Sequence, residues 1–160
     1  MANWPGNDAV FALCKDHIKE FEGYSAKPYR DVKGVPTIGW GTIVYPNGRT
    51  VTMSDPAISK DYAEQCLSVE MAQKAAAIAS HLEAAATIHQ AAAMLSLAYN
   101  IGVSAFLGST VLRQFNAGNI AAAAKAFEMW DKVHKDGRVI VVQGLLNRRK
   151  QEEAMFLAAD

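Results

Sequence analysis

At 160 residues the chain is long enough for one domain with a sizeable core. Apolar residues make up 51% and charged residues 20%, which excludes a disordered chain, and 16 basic side chains balance 16 acidic ones, which argues against general nucleic-acid binding. No run of eighteen apolar residues exists, so no membrane-spanning helix is expected, and the two cysteines form no Cys-x-x-Cys, which excludes a zinc ribbon.

Taken in order, Met1-Ala2-Asn3-Trp4-Pro5-Gly6-Asn7-Asp8 lacks the basic and apolar regions of an export signal, so synthesis in the cytoplasm is expected. A first helix starts at Asn7 or Asp8 as N-cap. Val10, Phe11, Leu13, Cys14, Ile18 and Phe21 then fall on one face. Gly23 is a natural stop, so this helix ends near Glu22. Residues 24–51 change character to Gly, Pro, Tyr, Val, Ile and Thr, which predicts short strands with tight turns. Asp31-Val32-Lys33-Gly34 is a turn, residues 37–44 a strand interrupted by Gly39 and Gly41, and Pro46-Asn47-Gly48 a hairpin turn. Thr50-Val51-Thr52 reads as a third, short strand.

From Ser59, an N-cap candidate, nearly everything reads as helix. A long helix runs from Lys60 toward Ser80 and suits a connector between two lobes. Thr87-Ile88-His89-Gln90 is a capping box opening an Ala-rich helix, apolar all round and therefore buried, that stops at Gly102. Shorter helices follow over 103–107, 109–116 and, capped by Asn119, up to Trp130. Residues 133–142 read as a loop or ribbon and 144–159 as the last helix. The class is therefore α+β: one domain over 1–160, with an N-terminal helix and small antiparallel β lobe (about 1–58), and a connecting helix plus larger helical lobe (about 59–160). A cleft between them is the expected ligand site.

Cys14 and Cys66 sit in helical, apolar surroundings and are expected as buried free thiols, a disulfide being the lesser alternative. His81 and His89 are spaced like no ligand motif, so neither metal nor cofactor is expected. Residues 132–150 hold Lys132, Lys135, Arg138, Arg148, Arg149 and Lys150 against Asp136 alone. Two readings stand: a face for an anionic polymer or membrane surface, or a solvated face balanced by Glu152 and Glu153.

Three residues on different local structures can converge in such a cleft. Glu22 occupies the last turn of a helix, where the macrodipole disfavours the anion; a protonated carboxyl there suits a general acid. Asp31 lies beside a turn and, as a functional residue, would stay ionised with hydrogen-bonding neighbours. The Thr37 hydroxyl opens a glycine-punctuated strand and can help hold a water. Taken singly, each also suits a surface Glu, a turn Asp and an ordinary strand Thr.

The spacing Glu, eight residues, Asp, five residues, Thr resembles the catalytic signature of the T4-type phage lysozymes or endolysins, glycoside hydrolase family 24. The resemblance extends through Lys27-Pro28-Tyr29, Thr37-Ile38-Gly39-Trp40-Gly41, Ile58-Ser59-Lys60-Asp61, Tyr99-Asn100-Ile101-Gly102, Ser109-Thr110-Val111-Leu112-Arg113 and Gly144-Leu145-Leu146-Asn147-Arg148-Arg149. It thus covers nearly the whole chain in order. It implies a lysozyme-like fold and a muramidase that hydrolyses the β-1,4 bond between N-acetylmuramic acid and N-acetylglucosamine in peptidoglycan, by an inverting mechanism, for host cell lysis.

By that resemblance Glu22 is the proton donor, Asp31 positions water or stabilises the cationic transition state, and Thr37 completes the set. Ile43, Tyr99, Asn100 and Arg148 become substrate-site residues. Tyr99 either stacks on a sugar or packs in the core, and Arg148 is a positive charge near Glu22. The family often has His after the second glycine, where this chain has Thr42. The resemblance further implies a monomer that reaches the wall after a holin opens the membrane. A catalytically silent wall-binding module and a lytic transglycosylase on the same fold are the competing functions.

Overall fold

The computed structural model describes residues 3–160; Met1 and Ala2, the start of the segment read for an export signal, lie outside the described residues. The element order is α1 (Asn7–Glu22), β1 (Ser25–Arg30), β2 (Pro36–Gly39), α2 (Lys60–Ala79), α3 (Ile88–Ile101), α4 (Val103–Leu107), α5 (Thr110–Asn116), α6 (Ile120–Ala126), a 3-10 turn (Phe127–Trp130), β3 (Lys132–Lys135), β4 (Arg138–Val141) and α7 (Gln143–Leu157). The fold class is α+β, as read from the sequence. β1 pairs antiparallel with β2, and β3 with β4, as two separate two-stranded sheets.

Capping chemistry sets several helix starts. Ser59 accepts from the amide of Tyr62 at the head of α2. Thr87 and Gln90 exchange both bonds of a capping box at the head of α3. Asn7 and Asn119 do not cap as expected. The N-cap of α1 is Gly6, and Asn7 instead accepts from the Trp4 indole. Asn119 occupies its N-cap position but donates its side-chain amide to Gln114. Helix α1 ends at Glu22 because Gly23 takes φ +65, which an L side chain resists, while its amide closes on Lys19 O at 3.0 Å.

Helix α3 is the central strut. Residues 91–99 are buried without a break, with α1 and α7 packed against it. The large core contains Val10, Cys14 and Ile18 of α1, Leu67, Met71 and Ile78 of α2, and Phe106, Phe115, Phe127 and Phe156 from later elements. A second, smaller cluster joins Ile38, Tyr45 and Val51 to Cys66 of α2, with Ile58 and Tyr62 packed on it. Helix α2 thus contributes to both. Cys14 and Cys66 are buried free thiols in different clusters.

The sheet beside the smaller cluster is shorter than expected. β2 stops at Gly39, and the third strand reduces to a single bridge between Val44 and Thr50. Its place is taken by a loop that Asp55 organises, accepting from Tyr45, Arg49 and both the amide and hydroxyl of Thr52. Those donors hold the Asp55 carboxyl well below the usual range, the Thr52 bonds most of all. The Asn47-Gly48 turn forms, with Gly48 at φ +87. Residues 133–142, left open as loop or ribbon, form most of the β3–β4 hairpin. Among the described residues no helix is long and apolar enough to cross a membrane.

Candidate active site

A cleft of about 690 Å³ runs between the sheet side and the helical side, within the range of small-molecule sites. Glu22, Asp31, Thr37, Gly41 and Ile43 line one side, and Glu70, Lys74, Tyr99 and Asn100 the other.

Glu22 is carried into the cleft by the last turn of α1 and fixed there from two directions. The buried Arg148 guanidinium donates from Nη1 to its Oε1 at 2.8 Å, opposing the macrodipole at the helix end. On the other side lies Gly41, at φ +86; a Cβ there would stand 2.7 Å from Glu22 Oε2. Glycine is therefore needed twice at this position, for its backbone and for the carboxyl it faces.

Asp31 follows β1. The amides of Lys33 and Val35 both donate to its Oδ1, at 2.8 and 2.9 Å. No protein donor among the described residues reaches Oδ2. Val35 also links Asp31 to Thr37: its carbonyl accepts from the Asp31 amide at 3.0 Å and from the Thr37 hydroxyl at 2.8 Å. The Thr37 proton is thus committed to the backbone, and the hydroxyl oxygen keeps a lone pair for a further donor such as water. Between these groups, Tyr29 has its hydroxyl pushed up, first by burial and then by Glu22 and Asp31.

Ile43 is exposed on the cleft wall. Tyr99 reaches the cleft but is only 6% exposed, and its hydroxyl donates to Trp40 O at 2.9 Å, so its ring packs between core and cleft. Burial, then Glu70 and Glu22, pushes that hydroxyl far up. Asn100 lines the cleft while its Oδ1 accepts from Arg149 Nη1 at 2.8 Å. Arg148 does not line the cleft; it lies behind Glu22. Thr42 is fully buried, and its backbone exchanges bonds with Ile38 at 2.9 and 2.8 Å, which folds the Gly39–Gly41 turn over the end of α1.

Behind the cleft, Glu152 binds both arginines. Arg149 Nε lies 2.6 Å from Oε1, Arg149 Nη2 donates to Oε2 at 3.1 Å, and Arg148 Nε approaches Oε2 at 3.4 Å. Ser96 of α3 donates to the same Oε2 at 2.5 Å. The two guanidiniums thereby share the Glu152 carboxylate in a dry region, and the chain Asn100–Arg149–Glu152–Arg148–Glu22 joins the two sides of the cleft. Glu152 was expected on a solvated face. It is instead wholly buried, because the two arginines need a counter-charge where water cannot supply one.

Glu70 and Lys74 were not among the expected site residues. They stand one turn apart on α2, 3.6 Å from each other, both on the cleft wall. Burial pushes the Glu70 carboxyl up to about 7, opposed by Lys74 and reinforced by Glu22. The Glu70/Lys74 spacing is legible in the sequence, but it is that of an ordinary surface pair. Among the described residues no cluster of His, Cys, Asp and Glu could hold a metal. His81 bonds Ala77 O, and His89 bonds Asp160.

Comparison with known proteins extends this picture. The family described as "Phage lysozyme" matches residues 19–152. The endolysin of Salmonella phage P22 is 40% identical over 141 residues, covering 88% of this chain and 92% of that protein. Among solved structures, an endolysin from Escherichia coli O157:H7 phage FAHEc1 superposes with TM-score 0.82 at 35% identity, over 94% of this chain and 92% of that one. The muramidase domain of SpmX from Asticaccaulis excentricus superposes with TM-score 0.78 at 27% identity, over 96% and 97% respectively.

Proposed function

Since the chain belongs to the phage lysozyme family and is a peptidoglycan-degrading endolysin of the muramidase type, we propose that Glu22, Asp31 and Thr37 are its catalytic residues and that it cuts the β-1,4 bond after N-acetylmuramic acid. Glu22 protonates the glycosidic oxygen as the bond breaks. Arg148 holds that carboxyl in one position and takes up the charge it develops on giving up its proton. Asp31, oriented through Oδ1 by two amides, presents Oδ2 to a water or to the oxocarbenium-like centre. The Thr37 oxygen accepts a hydrogen bond from that same water. Ile43, Tyr99 and Asn100 shape the sugar site, and Arg148 serves it through Glu22 rather than by touching substrate.

One observation carries this reading: two carboxyls from different elements face one cleft, each fixed at one oxygen, Glu22 by Arg148 from behind and Asp31 by two backbone amides. Glu22→Gln keeps the shape and the Arg148 contact but has no proton to give. We expect at least a thousandfold loss of hydrolysis on purified peptidoglycan, with unchanged circular dichroism and melting temperature. Near-normal lysis by that variant would overturn the acid assignment. The silent-module and transglycosylase readings are not favoured, the relatives being endolysins.

The chain is one domain with lobes at about 1–58 and 59–160, supported by the two apolar clusters that share α2. It acts as a monomer, made in the host cytoplasm and admitted to the wall once a holin has opened the membrane. A weak contact with the anionic envelope falls to the exposed cations of residues 132–150, since Arg148 and Arg149 are buried.

A further inference from the structure

The β3–β4 hairpin stands apart from everything the cleft requires. Its register pairs Lys132 with Val141, Val133 with Ile140, His134 with Val139 and Lys135 with Arg138. Opposite residues of an antiparallel pair share a face. One face therefore carries Val133 and Ile140 at its base and Lys135 and Arg138 toward its tip; Val133 is buried, so the base of this face turns toward the body. The other carries Val139 and Val141 beside His134 and Lys132. All four residues of β4 are exposed, Val139 at 58% and Val141 at 56%. Met129, just before the hairpin, is 58% exposed as well. The tip turns at Asp136 and Gly137, with φ +52 and +72, and projects Lys135 and Arg138.

The hairpin thus carries exposed branched aliphatic side chains on one face and, at the tip of the other, Lys135 and Arg138 against Asp136 alone, Lys132 being paired with Asp131. A glycan strand is polar and would gain nothing from Val139 and Val141. Val139 and Val141 face outward together from a two-stranded sheet with no third strand among the described residues, so they form a shared apolar surface rather than scattered single exposures. A bilayer with anionic headgroups matches both features: apolar side chains enter the headgroup boundary while cations meet the phosphates. We propose that this hairpin docks the protein on the surface of an anionic phospholipid bilayer. The inference rests on and deepens the envelope contact proposed above for the same cations, and it does not depend on cleavage of peptidoglycan.

The test is co-sedimentation of the full chain with vesicles of phosphatidylcholine alone or mixed with phosphatidylglycerol. Binding is expected to the mixed vesicles and to fall steeply with salt. The pair Lys135→Gln and Arg138→Gln should weaken it about 30-fold at low salt, roughly fivefold per cation. The pair Val139→Ser and Val141→Ser should weaken it at least tenfold, with hydrolysis of purified peptidoglycan unchanged. Failure to bind, equal binding to neutral vesicles, or undiminished binding by the charge variant each overturns the proposal. So does a wild-type dimer in sedimentation analysis that the valine variant dissolves while vesicles bind nothing, since the face would then join two copies. If the valine variant fails to fold, the charge variant, altered only at the tip, decides.

Discussion

At Gly41 a backbone requirement and a chemical one coincide. The residue sits at φ +86 with Glu22 Oε2 lying 2.7 Å from where a Cβ would be. Gly41→Ala should cost about 1–3 kcal/mol in backbone strain and push the Glu22 carboxyl off its site. Its kcat on purified peptidoglycan should fall at least tenfold. Gly118→Ala is the control: it carries a comparable backbone penalty at φ +83, away from the cleft, with nothing within 4 Å to displace. If both variants lose the same activity per degree of melting temperature, the clash with Glu22 is unimportant. Glu70 makes a second residue-scale prediction. Its carboxyl, raised from 4.5 to about 7, binds its proton more tightly in the folded chain than in the unfolded one. The stability it contributes is full below pH 4.5 and is lost as pH rises through about 7. Glu70→Gln removes that dependence, so the difference in melting temperature between pH 5 and pH 8 should shrink relative to wild type. An unaltered difference would place the titration elsewhere.

At the scale of elements, local chemistry was the legible part. Ser59, Thr87 and Gln90 bond to amides within three residues, so their roles could be read from neighbours in the chain. Thr87→Ala should destabilise by about 1 kcal/mol in denaturant titration. Glu22 and Asp31 were legible for a similar reason: a helix stop and a turn are short-range events, and their spacing carries a family resemblance. What neighbours in the chain do not give is whatever depends on distant partners. Arg148 meets Glu22 from 126 positions away, and only the family resemblance placed it there. Ser96 meets Glu152 from 56, so nothing near Glu152 in sequence distinguishes it from a surface glutamate. Asn119 is a local exception: it has a good capping residue's chemistry but donates to Gln114, five residues back. Glu152→Ala should cost about 3–5 kcal/mol, because it strands two buried guanidiniums. A loss within 1 kcal/mol by thermal or denaturant unfolding would show that water already screens the network.

At the scale of the molecule, the fold distributes rigidity unevenly. Helix α3 is buried from residue 91 to 99 and is packed by α1, α2 and α7, whereas the β3–β4 hairpin is exposed along most of its length. Hydrogen exchange should therefore be slowest in α3 and fastest in residues 132–141, with the smaller apolar cluster between them. Equal protection of hairpin and α3 would contradict this ordering. The chain's zero net charge conceals a second unevenness. Arginines cancelled in the dry interior leave the hairpin cations as a local excess at the surface, so the molecule has a direction although it has no overall sign.

The bond from Arg148 to Glu22 also sets a clock. A ribosome releases Glu22 early and the guanidinium that holds it some 126 residues later. Until that arrives, Glu22 ends a helix with only the Gly41 turn against its carboxyl, and α3 lacks the α7 partner that supplies Glu152 to Ser96. On the role proposed for Glu22, a nascent chain is disarmed by its own order of synthesis: the proposed acid is made first and the part that sets it is made last.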